Sequence, residues 1–348
     1  MEGLSSKERA RLGALLETKS QAEVMAMIPQ FTQSETGHFA GSRKGEDSFG
    51  AMVFNIERGV NLAETIDFLT YCPDIRPDDL IFANELDDGC VRSGGRQVAC
   101  EIARACGYDY VWGLEFIELA SPDDPKGFHG NAIFSRYPIT WSEVFRLPEE
   151  NNWYFDRQKR IGGRCAIFAK VKIGEREIGA VSIHLENRTD GAGRRRQLRA
   201  ILDEADRVFA GLPVLMGGDL NTNTFDGRSV PAISFLSEHP DLLAAQMLEV
   251  EDYEPCLADC EKYGYDWQAA AAVGQEKVGT RRKPLPDGTE MLLRLDWLLP
   301  RGLTASDGKI ISTLAKDCTF APAGSALAGF TKKELSDHNA VRACFHFQ

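Results

Sequence analysis

The chain has 348 residues, of which 43% are hydrophobic and 26% charged, a composition typical of globular proteins with a sizeable core. Its formal net charge of −12 disfavours a polynucleotide substrate without excluding one, because the protein's field repels polyanions unless basic residues gather on one face. The charged N-terminus argues against a signal peptide, the lack of an apolar run of about 18 residues argues against a membrane span, and nine scattered cysteines are typical of thiols in a reducing, cytoplasmic compartment.

The first 47 residues differ in pattern from the rest of the chain. Helical spacing of apolar residues predicts one or two helices over residues 1–30, ending before Pro29. The following stretch, residues 33–47, is polar and rich in Gly and Ser, which is typical of a linker. We therefore expect residues 1–47 to form a helical extension and linker, and residues 48–348 to form the main domain.

From residue 51 onward, short apolar runs alternate with amphipathic segments. The predicted strands are Ala51–Asn55, Leu80–Asn84, Tyr108–Trp112, Asn131–Ser135, Cys165–Val171, Ile178–His184, Val214–Gly217, Leu292–Leu299, Lys309–Leu314 and Ala340–Phe347. The predicted helices are Leu62–Thr70, Gly95–Ala105, Arg194–Phe209 and Val230–Ser237. A strand-rich chain with few interposed helices favours two packed sheets with helices outside.

Polar side chains recur where these strands are expected to end. They are Asn55, Glu85, Asn131, His184, Asp219, Asn221, Asp296, Asp337 and His338. Singly, an Asp or Asn after a strand is more often a turn or a helix cap than a site residue. Together they favour phosphoester cleavage, which requires a cation, positioned donors, a proton donor at the leaving oxygen and an aligned water.

The chemistry of these residue types suggests individual roles. Glu85 is suited to hold Mg²⁺, which prefers oxygen ligands. Asp219 is suited to align or deprotonate the attacking water, with Asn221 donating to a phosphate oxygen. His338, next to Asp337 and able to pair with a second carboxylate, Asp296, is predicted to carry a stabilised imidazolium.

Five motifs together resemble the endonuclease/exonuclease/phosphatase superfamily, in particular its deoxyribonuclease-like and sphingomyelinase-like members. They are GGDLNTNT at Gly217–Thr224, SDHNAV at Ser336–Val341, NEL at Asn84–Leu86, GNAIFSRYPI at Gly130–Ile139 and SIHLENR at Ser182–Arg188. The resemblance covers residues 48–348. It implies a four-layer α/β sandwich of two packed mixed β-sheets flanked by helices, with these motifs on one rim.

The same resemblance implies a set of site residues. Those matching the metal side are Asn55, Glu85 and Asp337, and those matching the water, phosphate and proton-transfer positions are His184, Asp219, Asn221, Asp296 and His338. His184 matches the histidine that acts beside the leaving group and that abasic-site endonucleases lack. Glu57 departs from the family pattern, which usually has Asp two residues after the first Asn.

Several further residues are candidates with an alternative explanation. Asn131 and Arg160 are predicted to contact phosphate, and the aromatic run 153–155 before Arg160 either touches substrate or pins a loop to the core. His129 is more simply a solvated loop histidine, while Glu115 either orients a histidine or faces solvent. The basic run 194–196 either binds phosphate or forms a solvated helix face. The basic run 281–283 either binds phosphate or forms a mobile loop.

These observations predict a Mg²⁺-dependent phosphodiesterase or phosphatase, with Mn²⁺ as a substitute, that acts by direct water attack. The acidic net charge gives a slight preference for a small or lipid-type phosphoester. A metal-dependent endonuclease or exonuclease acting on DNA or RNA is the enzymatic alternative. A degenerate binding module is the non-enzymatic alternative, and it is disfavoured because none of the essential residue types is missing.

Overall fold

In the computed structural model, two β-sheets pack face to face between layers of helices. The structure describes residues 1–43, 47–75, 78–222, 234–235, 238–239, 241–242, 250–270, 279–284, 288 and 290–348. Within them, the predicted α/β sandwich of two mixed sheets flanked by helices is confirmed. No helix of this described part has the length and apolar character needed to cross a membrane.

The strands and helices are numbered in chain order. The strands are β1 (Ser34–Gly37), β2 (Ser48–Arg58), β3 (Asp78–Asp88), β4 (Asp109–Glu118), β5 (Phe128–Ser135), β6 (Ile139–Arg146), β7 (Arg160–Gly162), β8 (Cys165–Ile173), β9 (Arg176–His184), β10 (Val214–Asp219), β11 (Arg281–Pro284), β12 (Glu290–Leu293), β13 (Asp296–Arg301), β14 (Leu303–Ile311) and β15 (Ala340–Phe347). The helices are α1 (Ser6–Leu15), α2 (Gln21–Met25), α3 (Leu62–Tyr71), α4 (Val98–Cys106), α5 (Gly191–Val208), α6 (Val250–Tyr253) and α7 (Cys256–Lys262).

The strand order brings together the strand ends that carry the predicted site residues. The large sheet runs β1-β4-β5-β3-β2-β15-β14, with β7 also paired to β4. The smaller sheet runs β13-β10-β9-β8-β6, and β11 pairs with β12 as a separate ribbon. Because β2 and β3 are parallel, as are β9 and β10, their carboxyl ends meet at one edge of each sheet.

Apolar side chains fill the spaces between the layers. Between the sheets, Val53 and Phe82 of the large sheet pack in one buried cluster with Leu215 of the smaller one. The outer face of the large sheet is covered by α3 and α4, and the outer face of the smaller sheet by α5 and α7. In α5 the apolar residues recur at helical spacing on one buried face, and the Asp190 side chain caps the first turn by accepting from the Gly193 amide.

The N-terminal segment adds both helices and a strand. Helices α1 and α2 lie where apolar spacing predicted them, and Leu12, Val24 and Phe31 join the buried cluster on the outer face of the large sheet. Four residues of the predicted linker form β1, which pairs antiparallel with β4. The polar sequence of this segment did not indicate a strand, because its residues are mostly half-exposed. The domain boundary at residue 47 stays a prediction.

Two predicted strands were wrong in their extent, and the first, Lys309–Leu314, corresponds to the end of β14, which runs from Leu303 to Ile311. The run Leu292–Leu299 is divided between β12, which pairs with β11, and β13, which pairs with β10 in the smaller sheet. Apolar content continues through the break, so the pattern alone could not reveal it. The strand β6 was not predicted, since it is a half-exposed edge strand without clean alternation. The predicted helix Val230–Ser237, except residues 234 and 235, lies outside the described residues.

Candidate active site

Three predicted site residues lie in one row of the smaller sheet. Asp219, at the end of β10, is in register with His184 of β9 on one side and with Asp296 of β13 on the other. Residues in register on neighbouring strands project to the same face, where their side chains can interact. Strand pairing alone therefore brings together three residues that are far apart in sequence.

Two glycines before Asp219 permit this close arrangement. Gly218 has a φ of +156°, and a Cβ there would lie 1.8 Å from the Ile183 carbonyl oxygen of the neighbouring strand. A Cβ at Gly217 would lie 2.7 Å from Phe82 and 2.9 Å from Val53 of the facing sheet. The GGD sequence thus reflects a backbone approach that no larger residue allows.

Irregularities in the large sheet aim three carboxylates at the site. The pairing register shifts between Asn55 and Arg58, between Ala83 and Leu86, and between Leu114 and Phe116. Each of these irregularities contains one glutamate, namely Glu57, Glu85 and Glu115. Bulges bend a strand and redirect a side chain, and they are frequent beside active sites.

The backbone is also strained around this edge. Among the described residues, five non-glycine residues have a positive φ. Four of them line one cavity, namely Glu57 (48°), Arg58 (66°), Glu85 (58°) and Asn221 (50°). Such conformations cost of order 1–3 kcal/mol each and persist where the surrounding structure imposes them. Their clustering here is the pattern expected of a functional site.

The cavity at this edge has a volume of about 250 Å³. Its basic lining residues are Arg58, Arg160, Arg164, Arg188, Arg281 and Lys283, its histidines are His129, His184 and His338, and its acidic residues are Glu57, Glu85, Asp219 and Asp337. Basic side chains are therefore concentrated around the cavity, although the net charge of the chain is −12. That distribution suits an anionic ligand of limited size.

His338 is held as an imidazolium by carboxylates. Its Nδ1 lies 2.9 Å from Oδ2 of Asp296, and its Nε2 lies 3.7 Å from Oδ2 of Asp219 and 3.9 Å from Oδ1 of Asp337. Burial opposes the charge on the ring, but the carboxylates of Asp296, Asp219 and Asp337 outweigh it and raise the pKa of His338 to about 10. The ring therefore carries a positive charge at neutral pH.

His184 has a different set of partners. Its Nδ1 lies 3.2 Å from Oε2 of Glu115 and 2.9 Å from Nη1 of Arg164, while its Nε2 lies 3.7 Å from Oδ2 of Asp219. Burial opposes ionisation of Glu115, but the charges of His184 and Arg164 lower its pKa to about 2. Glu115 thus orients a histidine, one of the two roles that the sequence left open. Nη1 of Arg164 also lies 3.0 Å from Nε2, the nitrogen that faces Asp219.

Glu57, Glu85 and Asp337 form a second group of carboxylates that line the cavity. Burial, followed by the charges of Asp337 and Glu85, raises the pKa of Glu57, so these carboxylates are close enough to repel one another. Burial also opposes ionisation of Glu85, but Arg58 and nearby histidines hold its pKa well below its ordinary value. Carboxylate oxygens are the ligands that Mg²⁺ prefers.

A different trio has a spacing that a metal ion could also bridge. One ligand atom from each of Asp219, Asp296 and His338 lies within 4.8 Å of the others. In this trio, however, Asp296 and His338 are hydrogen-bonded to each other, and the imidazole is protonated. A hydrogen bond therefore already joins Asp296 to His338, whereas Glu57, Glu85 and Asp337 offer carboxylate oxygens of the kind that Mg²⁺ prefers.

Two predicted asparagines lie behind the cavity wall. Asn55 is buried, donates from Nδ2 to Asp219 Oδ2 at 3.1 Å, and accepts at Oδ1 from the Glu57 amide. Asn131 is fully buried, and its Oδ1 accepts from Asn84 Nδ2 and from the Glu85 amide. Asn131 does not line the cavity, so the structure places it as a support for Glu85.

Asn84 is a site residue that was not singled out, although it opens the NEL motif. Its Oδ1 accepts from the Asp219 amide at 2.9 Å, and its Nδ2 donates to the Ile183 carbonyl at 3.0 Å. It therefore links β3 of the large sheet to β9 and β10 of the smaller one. Its adjacency to Glu85 was the available clue.

Asn221 and Arg160 line the cavity, each with a partner in the protein, and their contact with phosphate stays a prediction. Asn221 donates from Nδ2 to the Leu185 carbonyl at 3.0 Å, and its amide donates to Asp219 Oδ1. Arg160 is almost fully buried and forms an ion pair of 2.9 Å with Glu118.

Trp153 supports three cavity arginines. The guanidinium carbons of Arg160, Arg164 and Arg188 lie 5.1, 5.8 and 5.7 Å from the centre of its ring. Its indole Nε1 donates to Glu186 at 2.9 Å, which fixes the ring. Trp153 is therefore pinned to the core and lines the cavity, while contact of the aromatic run with substrate stays a prediction.

His129 was set aside as a solvated histidine, and that interpretation was wrong. It is buried, lines the cavity, and its Nδ1 lies 2.8 Å from Oδ1 of Asp87. Burial lowers the pKa of His129, while burial of Asp87 is outweighed by Arg92 and His129, which lower the pKa of Asp87 to about 2. Asp87, two residues after Glu85, was the sequence clue.

The basic run at 194–196 forms ion pairs instead of a phosphate site. Arg194 is fully buried against Glu254, with its Nη2 2.5 Å from Oε1. Arg195 pairs with Asp259 at 2.6 Å and Arg196 with Glu150 at 2.6 Å. The second run, 281–283, is not a mobile loop but part of β11.

Comparison with known proteins assigns this site to a family. The model of the Endonuclease/Exonuclease/phosphatase family matches residues 52–338, which is more than half of the chain. The chain belongs to this family. Enzymes of the endonuclease/exonuclease/phosphatase family generally hydrolyse phosphoester bonds and typically depend on a divalent metal, which supports a phosphoester hydrolase or nuclease.

Several solved structures share the fold of the family at low sequence identity. An endonuclease/exonuclease/phosphatase from Beutenbergia cavernae DSM 12333 is 18% identical with a TM-score of 0.54, over 86% of this chain and 72% of that chain. A family protein from Leptotrichia buccalis C-1013-b is 15% identical with a TM-score of 0.53, over 86% and 100%. D. rerio TDP2, complexed with single strand DNA product, is 16% identical with a TM-score of 0.51, over 86% and 100%. The search of curated proteins finds no match.

Proposed function

We propose that this protein hydrolyses a small phosphoester by direct attack of water at phosphorus, with Mg²⁺ as the metal and Mn²⁺ as a substitute. The observation that carries the proposal is the convergence of Asp219 and two histidines with Glu85 on one cavity. A carboxylate for the water, an imidazolium for the phosphoryl charge and a second imidazole for the leaving oxygen are the groups that this reaction requires.

Asp219 is the residue that we assign to the attacking water. Its Oδ2 accepts from Asn55 at 3.1 Å and its Oδ1 accepts from the Asn221 amide at 2.9 Å, so the carboxylate is fixed. Burial raises its pKa above the ordinary value of 3.8, which makes it a better base than an exposed aspartate. As the water oxygen bonds to phosphorus, its proton passes to Asp219.

The two histidines serve the other atoms of the reaction. His338, protonated through Asp296, stabilises negative charge on the non-bridging phosphoryl oxygens. His184, oriented by Glu115, donates a proton from Nε2 to the leaving oxygen as its bond to phosphorus breaks. Asn221 lines the cavity beside Asp219 and we assign it, with Arg160, to phosphate contact.

The metal is assigned to the carboxylate cluster. Glu85 and Asp337 would be its carboxylate ligands, Asn55 would use the second lone pair of its Oδ1, and Glu57 lies in the same cluster. Bound there, Mg²⁺ supplies Lewis-acid stabilisation of charge on the phosphoryl group. The low pKa of Glu85 keeps this ligand ionised at neutral pH.

The dimensions and charge of the protein support a small substrate. The cavity of about 250 Å³ lies below the range of roughly 300–1,000 Å³ typical of ligand pockets. The net charge of −12 repels a long polyanion outside the cavity. Nuclease activity is the second candidate, because Phe155 is 69% exposed beside the cavity-lining Trp153 and could stack on a base.

Hydrolysis of bis-p-nitrophenyl phosphate tests the reaction, and a substrate panel tests the class. We expect turnover with Mg²⁺, none with EDTA, and recovery when excess Mg²⁺ is restored. The panel comprises plasmid DNA, RNA, sphingomyelin and inositol phosphates, assayed at one salt concentration. Absence of metal-dependent turnover on every member would contradict the proposal, and turnover confined to DNA or RNA would replace it with the nuclease.

We also propose that the protein is cytoplasmic. Cys165, Cys256 and Cys260 are buried and none of the three is in a disulfide. Thiols persist in this state in reducing compartments. Cell fractionation with a tagged chain tests the location, and recovery in an oxidising compartment would contradict it.

A further inference from the structure

Three basic side chains of the cavity have no role in the reaction described above. They are Arg188, which follows β9, and Arg281 and Lys283 of β11, and all three line the cavity. Arg281 and Lys283 are alternate residues of a strand and therefore project to the same face. Arg282 between them projects away, where it is buried and donates to Glu334 at 2.7 Å. Burial of Arg282 anchors the strand, so its neighbours are held towards the cavity.

The backbone and an ion pair fix this group beside the reaction centre. Arg281 forms an isolated antiparallel bridge with His338, and its Nη2 lies 2.9 Å from Oδ2 of Asp337. Arg188 lines the same cavity and has an ion pair of its own, with its Nε 3.5 Å from Oδ2 of Asp156. The three cations therefore adjoin the phosphate site without replacing any residue in it.

Like charges are held close together in this group. Burial, followed by the charges of Arg281 and Arg188, lowers the pKa of Lys283 to about 8. Three cations that repel one another around a cavity are stabilised when an anion binds between them. Arrangements of this kind recur where proteins bind phosphate groups.

We propose that Arg188, Arg281 and Lys283 form a second anion subsite, which binds a phosphate other than the one that is cleaved. The preferred substrate is then a small phosphoester that carries two phosphate groups. This inference rests on the proposed function, because it takes the cavity wall of His184, Asp219 and His338 as the place of cleavage. A second phosphate occurs both in small bisphosphates and in nucleotide strands, so the test must separate these sources.

Binding of matched phosphates tests the subsite without requiring turnover. The probes are bisphosphates of linear diols of increasing length, each paired with the alkyl monophosphate of the same length, and the dinucleotide pTpT. Affinities are measured by titration calorimetry in the presence of Ca²⁺ and again as inhibition of bis-p-nitrophenyl phosphate hydrolysis with Mg²⁺. We expect the best bisphosphate to bind about tenfold or more tightly than its monophosphate, with an optimum length.

Two variants remove charge from the subsite, and a third is the control. Lys283→Met and Arg188→Gln should each reduce the advantage of the bisphosphate to about twofold, while monophosphate binding and kcat/KM for bis-p-nitrophenyl phosphate stay near wild type. Lys172→Met makes the same change at an exposed position of β8, near the end of the strand that lies away from the cavity. This variant should keep the full advantage of the bisphosphate over the monophosphate. Thermal melting of each variant confirms that it is folded.

The outcomes separate this inference from the proposed function. Failure of bis-p-nitrophenyl phosphate hydrolysis with a retained bisphosphate advantage would contradict the function and leave the subsite standing. Equal binding of bisphosphates and monophosphates, an advantage without an optimum length, or an advantage that survives both variants would overturn the subsite. An advantage shown by pTpT alone would overturn the small bisphosphate substrate.

Discussion

Nε2 of His184 lies 3.7 Å from Oδ2 of Asp219. Nε2 of His338 lies at the same distance, 3.7 Å, from the same oxygen. The two rings differ in what holds them, because His184 contacts Glu115 and His338 contacts Asp296. The two imidazoles flank one carboxylate but have different partners. We therefore expect them to have different roles in the reaction at one phosphate.

Alanine variants of the two histidines should distinguish these two roles. His338→Ala should lower kcat/KM on the order of 10²-fold or more for every substrate, because it removes charge stabilisation of the phosphoryl group. His184→Ala should lose about as much on an alkyl phosphoester but far less on a nitrophenyl ester, whose leaving group needs no proton. The measurement is kcat/KM on both esters for both variants.

A third histidine provides the control for this experiment. His346 lies near the end of β15, where Ser306 contacts its Nε2, and it does not line the cavity. His346→Ala should therefore retain wild-type kinetics on both esters. Equal losses for His184→Ala on the two esters would show that His184 acts on the phosphate or on the fold, and its role as leaving-group acid would be dropped.

The sequence predicted the residues that close strands at the rim. Asp219 and His338 belong to short contiguous motifs, which can be read directly from the sequence, and close packing restricts the residue type at positions such as Gly218. The sandwich could also be predicted, since its strands alternate with polar turns. Short motifs and alternating apolar residues reflect local backbone geometry and the burial of one face of each strand.

The supporting residues could not be predicted from pattern. Glu115 and His129 lie in strands whose every residue is buried, so neither looks different from a core position until its partner across the site is known. Arg194 looked like a surface charge because its partner, Glu254, is distant in sequence. Pairings of this kind depend on tertiary contacts, which a single sequence does not show.

A conservative variant tests the metal ligand. Glu85→Gln keeps the size of the side chain but removes its charge, so we expect weaker Mg²⁺ binding and lower activity at limiting Mg²⁺. Raising the Mg²⁺ concentration should restore part of the loss. The exposed Glu175→Gln is the matched control and should titrate with Mg²⁺ like the wild type. Wild-type rates for Glu85→Gln at limiting Mg²⁺ would show that Glu85 is not a ligand.

Salt dependence distinguishes a small substrate from a polynucleotide. Binding to a single strand releases counterions, so log(kcat/KM) should fall with log[salt] by about 0.7 for each phosphate contacted. A substrate with one or two phosphates should therefore show a shallow slope. Kinetics over a salt series at fixed free Mg²⁺ measure this slope. A steep slope on DNA together with high turnover would replace the small-substrate proposal.

A buried ion pair remote from the chemistry should dominate the stability of α5. Both members of the Arg194–Glu254 pair are fully buried, so Arg194→Leu takes a guanidinium away from a carboxylate in the interior. We expect the free energy of unfolding to fall by about 3–5 kcal/mol. Arg196→Leu, which breaks an ion pair from a side chain that is 60% exposed, should change it little. Urea unfolding of both variants makes the comparison, and equal effects would contradict it.

The last prediction concerns acid stability and the support of His184. Glu115 is fully buried, and the charges of His184 and Arg164 outweigh burial to lower its pKa from 4.5 to about 2. A carboxyl group whose pKa is lower in the folded state contributes stability above its unfolded pKa, and that contribution is lost as pH falls through the folded value. The shift corresponds to roughly 3 kcal/mol, lost between about pH 5 and pH 2.

Glu115→Gln removes the titrating group while keeping its shape. Its free energy of unfolding should be lower than that of the wild type at neutral pH, because Arg164 and His184 lose a charged partner. Its further fall on acidification should be smaller than that of the wild type by roughly 3 kcal/mol. Urea unfolding at a series of pH values measures both quantities, with the exposed Glu175→Gln expected to follow the wild-type curve. If Glu115→Gln lost stability with acid as steeply as the wild type, the carboxylate of Glu115 would not be ionised against His184, and its role in orienting that ring would have to be abandoned.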